Sequence, residues 1–374
     1  MELSIGEKNQ YERHLSLAEI GERGQILLKE AKVLVVGAGG LGCPVLQYLA
    51  AAGVGKIGIV DQDGVEASNL HRQVLFTHDD IGEAKVKVAS QKLHRLNPYI
   101  EIVPHLLRLT AVNTDSIFHG YDIVVDCTDN FASRYLINDA CVLYGKVLIY
   151  GAIYQFEGQV SVFNFNDGPT YRCLFPEPPK SDILPNCSEV GVLGVLPGIV
   201  GSFQAMETIK VIAGIGDVLS GKVLLYDALK QKNRIITIKP NKKNREIVEL
   251  SDSLYGCSAD SQLANSMIIE IEPKEFSEMV VNSEDILVID VREKWERAVS
   301  KISPSCHIPL GEFSSSDEPI LPDKCSKEKK VMLYCKAGVR SRMACEVLNE
   351  HGFKNLFNLS GGILKWEAEG YPLA

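Results

Sequence analysis

Residues 32–42, KVLVVGAGGLG, restrict the possible folds of this chain more than any other stretch. A continuous β-branched run ends in clustered glycines, and a helical pattern, LGCPVLQYLAAAG, follows at once. A second strand pattern, KIGIVD (56–61), completes a βαβ unit of about thirty residues. Gly37, Gly39, Gly40 and Gly42 sit at the strand-to-helix turn. Glycine there permits a tight turn and lets the backbone approach a phosphate seated on the helix N-terminus. Asp61 ends the next strand and fits an acceptor for ribose hydroxyls. The glycines alone fit a NAD site equally well.

The pattern continues along the chain. A helix is expected over 82–98, stopped by Pro98, and strands at 121–130 and 146–153. Apolar strands alternating with helices predict an α/β, Rossmann-like domain with a mainly parallel sheet covered on both faces. After GQVSVFNF (158–165), residues 166–190 hold five prolines and no period, which predicts a functional or mobile loop. A helix at about 194–213 and two strands, KVLLYDAL and RIITIKP, close this domain. Residues 251–266 are rich in Ser, Asp and Asn and are expected to link it to a smaller α/β domain. The expected division is therefore 1–250, a linker at 251–266, and 267–374. The second domain holds ILVIDVRE, VMLYC, a helix from about Ser341 to Gly352, and LSGGILKWEAEGYP.

Two domains suit 374 residues, and a net charge of -9 argues against a general nucleic-acid surface. The opening MELSIGEKNQYERHL is polar, and no apolar run is expected to span a bilayer. The expectation is a cytoplasmic chain without membrane or nucleic-acid partners. Its ten cysteines are then core residues, metal ligands or nucleophiles rather than a disulfide set.

Polar residues beyond the glycine turn separate the nucleotide choices. Asn69 and Arg72 follow the second strand, Lys85 opens the next helix, and Asp129 and Asn130 follow a later strand. A dinucleotide's pyrophosphate is held largely by backbone groups, whereas a triphosphate needs cations at its outer phosphates. Arg72 and Lys85 supply them, and Asp129 is a hard oxygen ligand suited to magnesium. Together they favour ATP.

This constellation resembles the MoeB/ThiF family of adenylating enzymes, relatives of ubiquitin-activating enzymes. The segments that carry the resemblance are YERHLSL, VLVVGAGGLGCPVLQYLAAAGVGKI, the 61–73 segment DQDGVEASNLHRQ, GEAKV, DCTDNFASRYLIND, GQVSVF and GSFQAMETIK, within roughly residues 8 to 240. The resemblance implies that ATP and the C-terminal carboxylate of a ubiquitin-like sulfur carrier, usually ending Gly-Gly, form an acyl-adenylate. It implies Asp61 on the ribose, Asn69, Arg72 and Lys85 on the phosphates, and Asp129 on magnesium. Asp63, Ser68, Leu70, His71 and Asn130 belong to the same implied nucleotide site. Arg13 matches an arginine inserted into a partner subunit's site, so a homodimer is implied.

In this family a cysteine at the position of Cys187 forms a covalent bond with the carrier or resolves a persulfide. The polar neighbours Asn186, Ser188 and Glu189 argue for its exposure. Many relatives hold zinc with two Cys-x-x-Cys pairs. Here Thr170 stands where the first cysteine would be, leaving Cys173, and YGCSAD holds only Cys257. Two thiolates cannot fill a closed tetrahedral site, so no zinc is expected. Cys43 and Cys127 read as core; Cys141, Cys306, Cys325 and Cys345 give no functional signal.

ILVIDVREKWE, VMLYCKAGVRSRMACEVLNEHGF and LSGGILKWEAEGYP resemble a rhodanese domain over about residues 267 to 374. The resemblance implies that Cys335 carries a persulfide, supplied by a donor such as a cysteine desulfurase or thiosulfate. Backbone N–H groups of the loop, the helix expected after it, and the charges of Lys336 and Arg340 all favour a thiolate. Phosphatase loops span one residue more between Cys and Arg, so phosphate fits this loop less well than a single sulfur atom. The expected function is adenylation of the carrier followed by sulfur transfer from Cys335 to give a thiocarboxylate. A purely regulatory rhodanese domain, or an NAD-dependent oxidoreductase with a sulfur-binding module, are the alternatives.

Overall fold

A computed structural model describes residues 2–178, 191–250, 268–282, 286–313, 321 and 326–374. The chain divides into two compact units, Met1–Ser258 and Ala259–Ala374. The expected linker, 251–266, lies outside the described residues, as do Cys187, Cys257 and Cys325.

The first unit is built on strands β1 (Lys32–Val36), β2 (Lys56–Val60), β3 (Glu101–His105), β4 (Ile123–Asp126), β5 (Val147–Tyr154), β6 (Glu157–Phe163), β7 (Lys222–Asp227) and β8 (Lys232–Thr237). They form one sheet in the order β3-β2-β1-β4-β5-β6-β7-β8. The first five are parallel. Strands β6, β7 and β8 run antiparallel to their neighbours. The reason is local: β5 and β6 are joined by Gln155 and Phe156, with Gln155 at φ 51°, and a connection this short permits only an antiparallel pair.

Residues alternate between two cores. Val33, Val35, Ile57, Ile123 and Ile149 pack on one face with Leu46 and Leu49 of the helix Gly42–Ala52 and Val200 of the helix Val195–Ala213. Leu34, Val36, Val124 and Leu148 pack on the other with Tyr135, Leu136 and Ile137 of the helix Phe131–Leu143. Period-two alternation buried on both sides explains why the strands read as unbroken apolar runs. Each fully buried Leu, Val or Ile stabilises the unit by about 1.5–3 kcal/mol.

The expectation of no membrane-length apolar run meets one exception. The helix Val195–Ala213 is long and apolar enough, by length and composition, to cross a bilayer. Its place in the fold is nonetheless the core: Leu196, Val200 and Ala205 are buried against the sheet. It also buries Gln204, whose Nε2 donates to the Asp126 carbonyl at 2.7 Å.

The second unit holds β9 (Ile268–Ile271), β10 (Ile286–Asp290), β11 (Cys306–His307), β12 (Lys330–Tyr334) and β13 (Asn355–Leu359). All are parallel, in the order β11-β10-β12-β13-β9. The helix after Cys335 runs Val339–Glu350, two residues ahead of the expected start. Gly338, at φ 95°, is its N-cap and bends the chain immediately after the loop.

Candidate active sites

In the first unit the strand order reverses between β1 and β4, whose connections leave to opposite sides. In open α/β sheets ligands bind at such a point, beyond the carboxyl ends of the strands. The glycine turn leaves β1 and Asp129 lies just past β4, so the fold brings both to this point. A Cβ on Gly42 would lie 2.0 Å from the Gly37 carbonyl oxygen, so only glycine allows the turn to close this tightly.

Asp61 follows β2 and grips the turn. Its Oδ2 accepts the Ala38 N–H at 2.8 Å, and its Oδ1 accepts the Asp63 N–H at 2.8 Å. Burial raises this carboxyl's pKa, against the lowering effects of Lys85 and the two N–H groups. Lys85, only 5% exposed, donates from Nζ to Asp63 Oδ2 at 3.1 Å. Ser68 is exposed, and its hydroxyl donates to Glu66.

Arg72 stands beside the turn: a Cβ on Gly40 would lie 3.6 Å from Arg72 Cγ. Its Nη1 donates to the Ser68 carbonyl at 3.0 Å and to His71 Nε2 at 2.8 Å. Burial and the Arg72 charge lower the His71 pKa. Leu70 packs against the core. Asn69 is buried, and its Oδ1 accepts the Glu66 N–H at 3.3 Å. Asn130 likewise works locally: its Oδ1 accepts the Ser133 N–H at 2.9 Å and caps the helix Phe131–Leu143. Asp129 is exposed. Arg13 is exposed on the short helix Glu12–Leu15.

One residue at this site escaped sequence reasoning. Gln73 is buried, and its Oε1 has no hydrogen-bond partner. Its Nε2 lies 3.7 Å from where a Gly39 Cβ would be, so the amide borders the turn. The signal was there, in the SNLHRQ run, but a glutamine carries no charge to draw attention.

Among the described residues, no group of three or more His, Cys, Asp or Glu side chains could hold a metal ion. Cys173 Sγ accepts the N–H groups of Thr170 at 3.4 Å and Asn241 at 3.3 Å. Burial raises its pKa, but these bonds and those from the Thr170 hydroxyl and Asn244 lower it overall. Cys43 and Cys127 are buried, and burial pushes the Cys43 thiol up to about 12.

In the second unit Cys335 directly follows the central strand β12 and is 1% exposed, more buried than the polar residues after it suggest. Burial follows from the clamp around its loop. The Ile363 N–H donates to the Cys335 carbonyl at 2.9 Å and the Leu364 N–H to the Lys336 carbonyl at 3.1 Å. A Cβ on Gly362 would lie 2.5 Å from the Cys335 oxygen, which explains the glycine that opens the helix Gly362–Ala368. Cys335 Sγ accepts the Gly338 N–H at 3.1 Å and the Ser341 hydroxyl at 3.4 Å.

Arg340 does not stand free beside the sulfur, as its place in the loop suggested. Its Nη1 and Nη2 donate to Glu296 Oε2 at 2.6 Å and Oε1 at 2.8 Å. The Asp-x-Arg of β10 is structural. Arg292 donates to Asp290 at 2.9 and 2.8 Å, and the Tyr334 hydroxyl donates to Asp290 Oδ2 at 2.9 Å.

Comparison with known proteins follows the same division. Residues 11–249 match the ThiF family and 272–369 a rhodanese-like domain. The chain is 42% identical over 377 residues to the probable adenylyltransferase/sulfurtransferase MoeZ of Mycobacterium tuberculosis, covering 99% of this chain and 95% of that protein. It is 39% identical to the adenylyltransferase and sulfurtransferase MOCS3 of Aedes aegypti, covering 97% and 87%. A sulfur carrier protein adenylyltransferase of Thermus thermophilus is 54% identical over 63% of this chain and 89% of its own length. Among solved structures, E. coli MccB with MccA-N7isoASN shares the fold at a TM-score of 0.56 and 23% identity, over 64% of this chain and 73% of that one. The chain belongs to the ThiF family, carries a C-terminal rhodanese-like domain, and is an adenylyltransferase and sulfurtransferase.

Proposed function

We propose that residues 1–250 adenylate the C-terminal glycine of a small ubiquitin-like sulfur carrier, and that residues 267–374 then deliver sulfur from Cys335. The carrying observation is the pairing of two sites: a glycine turn gripped by Asp61 with Arg72 and Lys85 beside it, and a loop whose N–H and hydroxyl donors converge on Cys335.

In the first reaction a carrier carboxylate oxygen attacks the α-phosphorus of ATP and pyrophosphate leaves. Asp61 receives the ribose hydroxyls on its remaining lone pairs. The turn and the N-terminus of the helix Gly42–Ala52 receive phosphate oxygens. Arg72, Lys85 and the Gln73 amide take the leaving pyrophosphate, whose developing charge they stabilise. The exposed Asp129 carboxylate suits magnesium, which would take its other ligands from phosphates and water and neutralise phosphate charge. Arg13 acts on the site of a second subunit, so the working form is a homodimer. No zinc is expected, because the thiolates of Cys173 and Cys257 alone cannot fill a closed tetrahedral site. Elemental analysis finding stoichiometric zinc in metal-washed protein contradicts that.

In the second reaction the outer sulfur of the Cys335 persulfide attacks the acyl carbon and AMP leaves, giving an acyl disulfide. A second thiol, assigned to Cys187, attacks Cys335 Sγ. The carrier thiocarboxylate departs, and a Cys187–Cys335 disulfide remains for later reduction. The reading places this chemistry in the cytoplasm.

Carrier-dependent exchange of labelled pyrophosphate into ATP tests the first half. Its absence, with NAD bound instead, contradicts the proposal.

A further inference from the structure

The carbonyl of Gly338 decides where the Ser341 proton goes. Gly338 caps the helix Val339–Glu350, and its own N–H donates to Cys335 Sγ at 3.1 Å. Its carbonyl oxygen meets three donors: the Arg342 N–H at 3.2 Å, Asn358 Nδ2 at 2.8 Å and the Ser341 hydroxyl at 3.1 Å. The Ser341 hydroxyl also lies 3.4 Å from Cys335 Sγ. A carbonyl oxygen has two lone pairs, and a hydroxyl has one proton. With Arg342 and Asn358 on the carbonyl, both lone pairs are engaged and the Ser341 proton is left for the sulfur.

Asn358 is fixed in this place. It is 2% exposed, on β13, and pairs with Glu270 in the parallel register with β9. Its Nδ2 carries two hydrogens. One goes to the Glu270 carboxylate, whose two oxygens both lie at 2.9 Å, and the other to Gly338. Arg342 Nη1 holds the same carboxylate, at 3.2 Å from Oε1. Turned over, the Asn358 amide would set its oxygen against three acceptor oxygens, so the nitrogen faces them. Its Oδ1 is left buried with no hydrogen-bond partner, a cost that the nitrogen's contacts offset.

We propose that Asn358 is a positioning residue for Cys335: by filling the Gly338 carbonyl it directs the Ser341 proton to the Cys335 sulfur. The proposal rests on the reading of Cys335 as the sulfur-carrying nucleophile. The sulfur then has two donors, the Gly338 N–H and the Ser341 hydroxyl. Donors aimed at the charged form favour thiolate over thiol, and the thiolate is the reactive species. Without Asn358 a lone pair on Gly338 falls open, and the serine hydroxyl turns back to the carbonyl three residues before it. The sulfur keeps only the Gly338 N–H.

The test is the pH profile of Cys335 alkylation by iodoacetamide in the full chain, read on the Cys335 peptide by mass spectrometry. Four proteins are compared: the parent, Ser341→Ala, Asn358→Ala and the double variant. Arg340 with Glu296, Lys336, the Arg342–Glu270 pair and the buried Cys345 thiol are present in all four, so differences between the profiles report the hydrogen bonds. Ser341→Ala should raise the midpoint by about one unit, the loss of one bond to a charged sulfur. Asn358→Ala should raise it by the same amount with Ser341 still present. The double variant should go no further than Ser341→Ala alone, because the two residues act through one proton. Asn358→Ser serves where the alanine variant does not fold. Its single proton goes to the Glu270 carboxylate, the stronger acceptor, and leaves the Gly338 lone pair open, so the same shift is expected. Additive shifts in the double variant, about two units in all, overturn the proposal, since Asn358 then acts by another route. An unmoved midpoint in Ser341→Ala overturns it whatever the Asn358 variants do. If the midpoints move as expected while Cys335→Ala enzyme still forms thiocarboxylate at the parent's rate, the sulfur-transfer reading fails and the Asn358 assignment stands.

Discussion

Asp61 Oδ2 accepts the Ala38 N–H at 2.8 Å, so the carboxylate after β2 holds the glycine turn after β1 before any nucleotide arrives. This gives the residue two separable jobs. Asp61→Ala strands the buried Ala38 donor and lowers stability by about 1–3 kcal/mol, besides weakening ATP binding. Asp61→Asn keeps an oxygen for Ala38 and sheds the cost of burying a charge, so its thermal stability holds while ATP affinity drops. Calorimetric ATP titration beside thermal melts checks this; equal stability loss in both variants contradicts it.

The second unit holds two buried carboxyls whose contribution to stability is lost in acid. Burial raises the Asp290 carboxyl, but Arg292 and the Tyr334 hydroxyl outweigh it and the net shift is downward. Burial raises the Glu296 carboxyl too, but Arg340 and the Glu293 N–H outweigh it and the net shift is again downward. A carboxyl lowered on folding stabilises fully above its unfolded value, near 4. That stability is lost as pH falls through the lower folded value. Both tryptophans, Trp295 and Trp366, lie in this unit. Tryptophan emission should therefore report a stability plateau above about pH 5 and a decline below about pH 4. Stability rising as pH drops below 4 contradicts the assignment.

Gly362→Ala separates the two reactions. The new methyl, 2.5 Å from the Cys335 oxygen, must push the loop away. Alkylation and persulfidation of Cys335 should fall at least about tenfold while pyrophosphate exchange stays at the parent rate. A parallel loss of both activities contradicts this independence.

Arg13 acts across subunits in the proposed dimer. Arg13→Ala and Asp129→Ala, each inactive alone, should regain adenylation when mixed and allowed to exchange subunits. Failure of mixed dimers to exceed either parent places Arg13 in its own subunit's chemistry.

Much of this was legible in the sequence because it is local. The turn, Asp61 and the cysteine loop each fall within short segments whose chemistry and geometry coincide. Part of what escaped was long-range. Glu296 reaches Arg340 across 44 residues, and nothing in CKAGVRS announces its partner. Asn69 and Asn130 read as nucleotide residues, and nothing in the sequence marked the local hydrogen bonds that their Oδ1 atoms also accept. The change from parallel to antiparallel pairing after β5 rests on a two-residue connection that composition does not weight.

The central claim is that one chain activates a carrier carboxylate and then sulfurates it through Cys335. Its most direct test is intact mass of the carrier after incubation with ATP, a persulfide donor and either parent or Cys335→Ala enzyme. The account predicts the oxygen-to-sulfur mass change with the parent, and none with C335A, while C335A retains carrier-dependent pyrophosphate exchange. Thiocarboxylate formed by C335A at the parent's rate would contradict it.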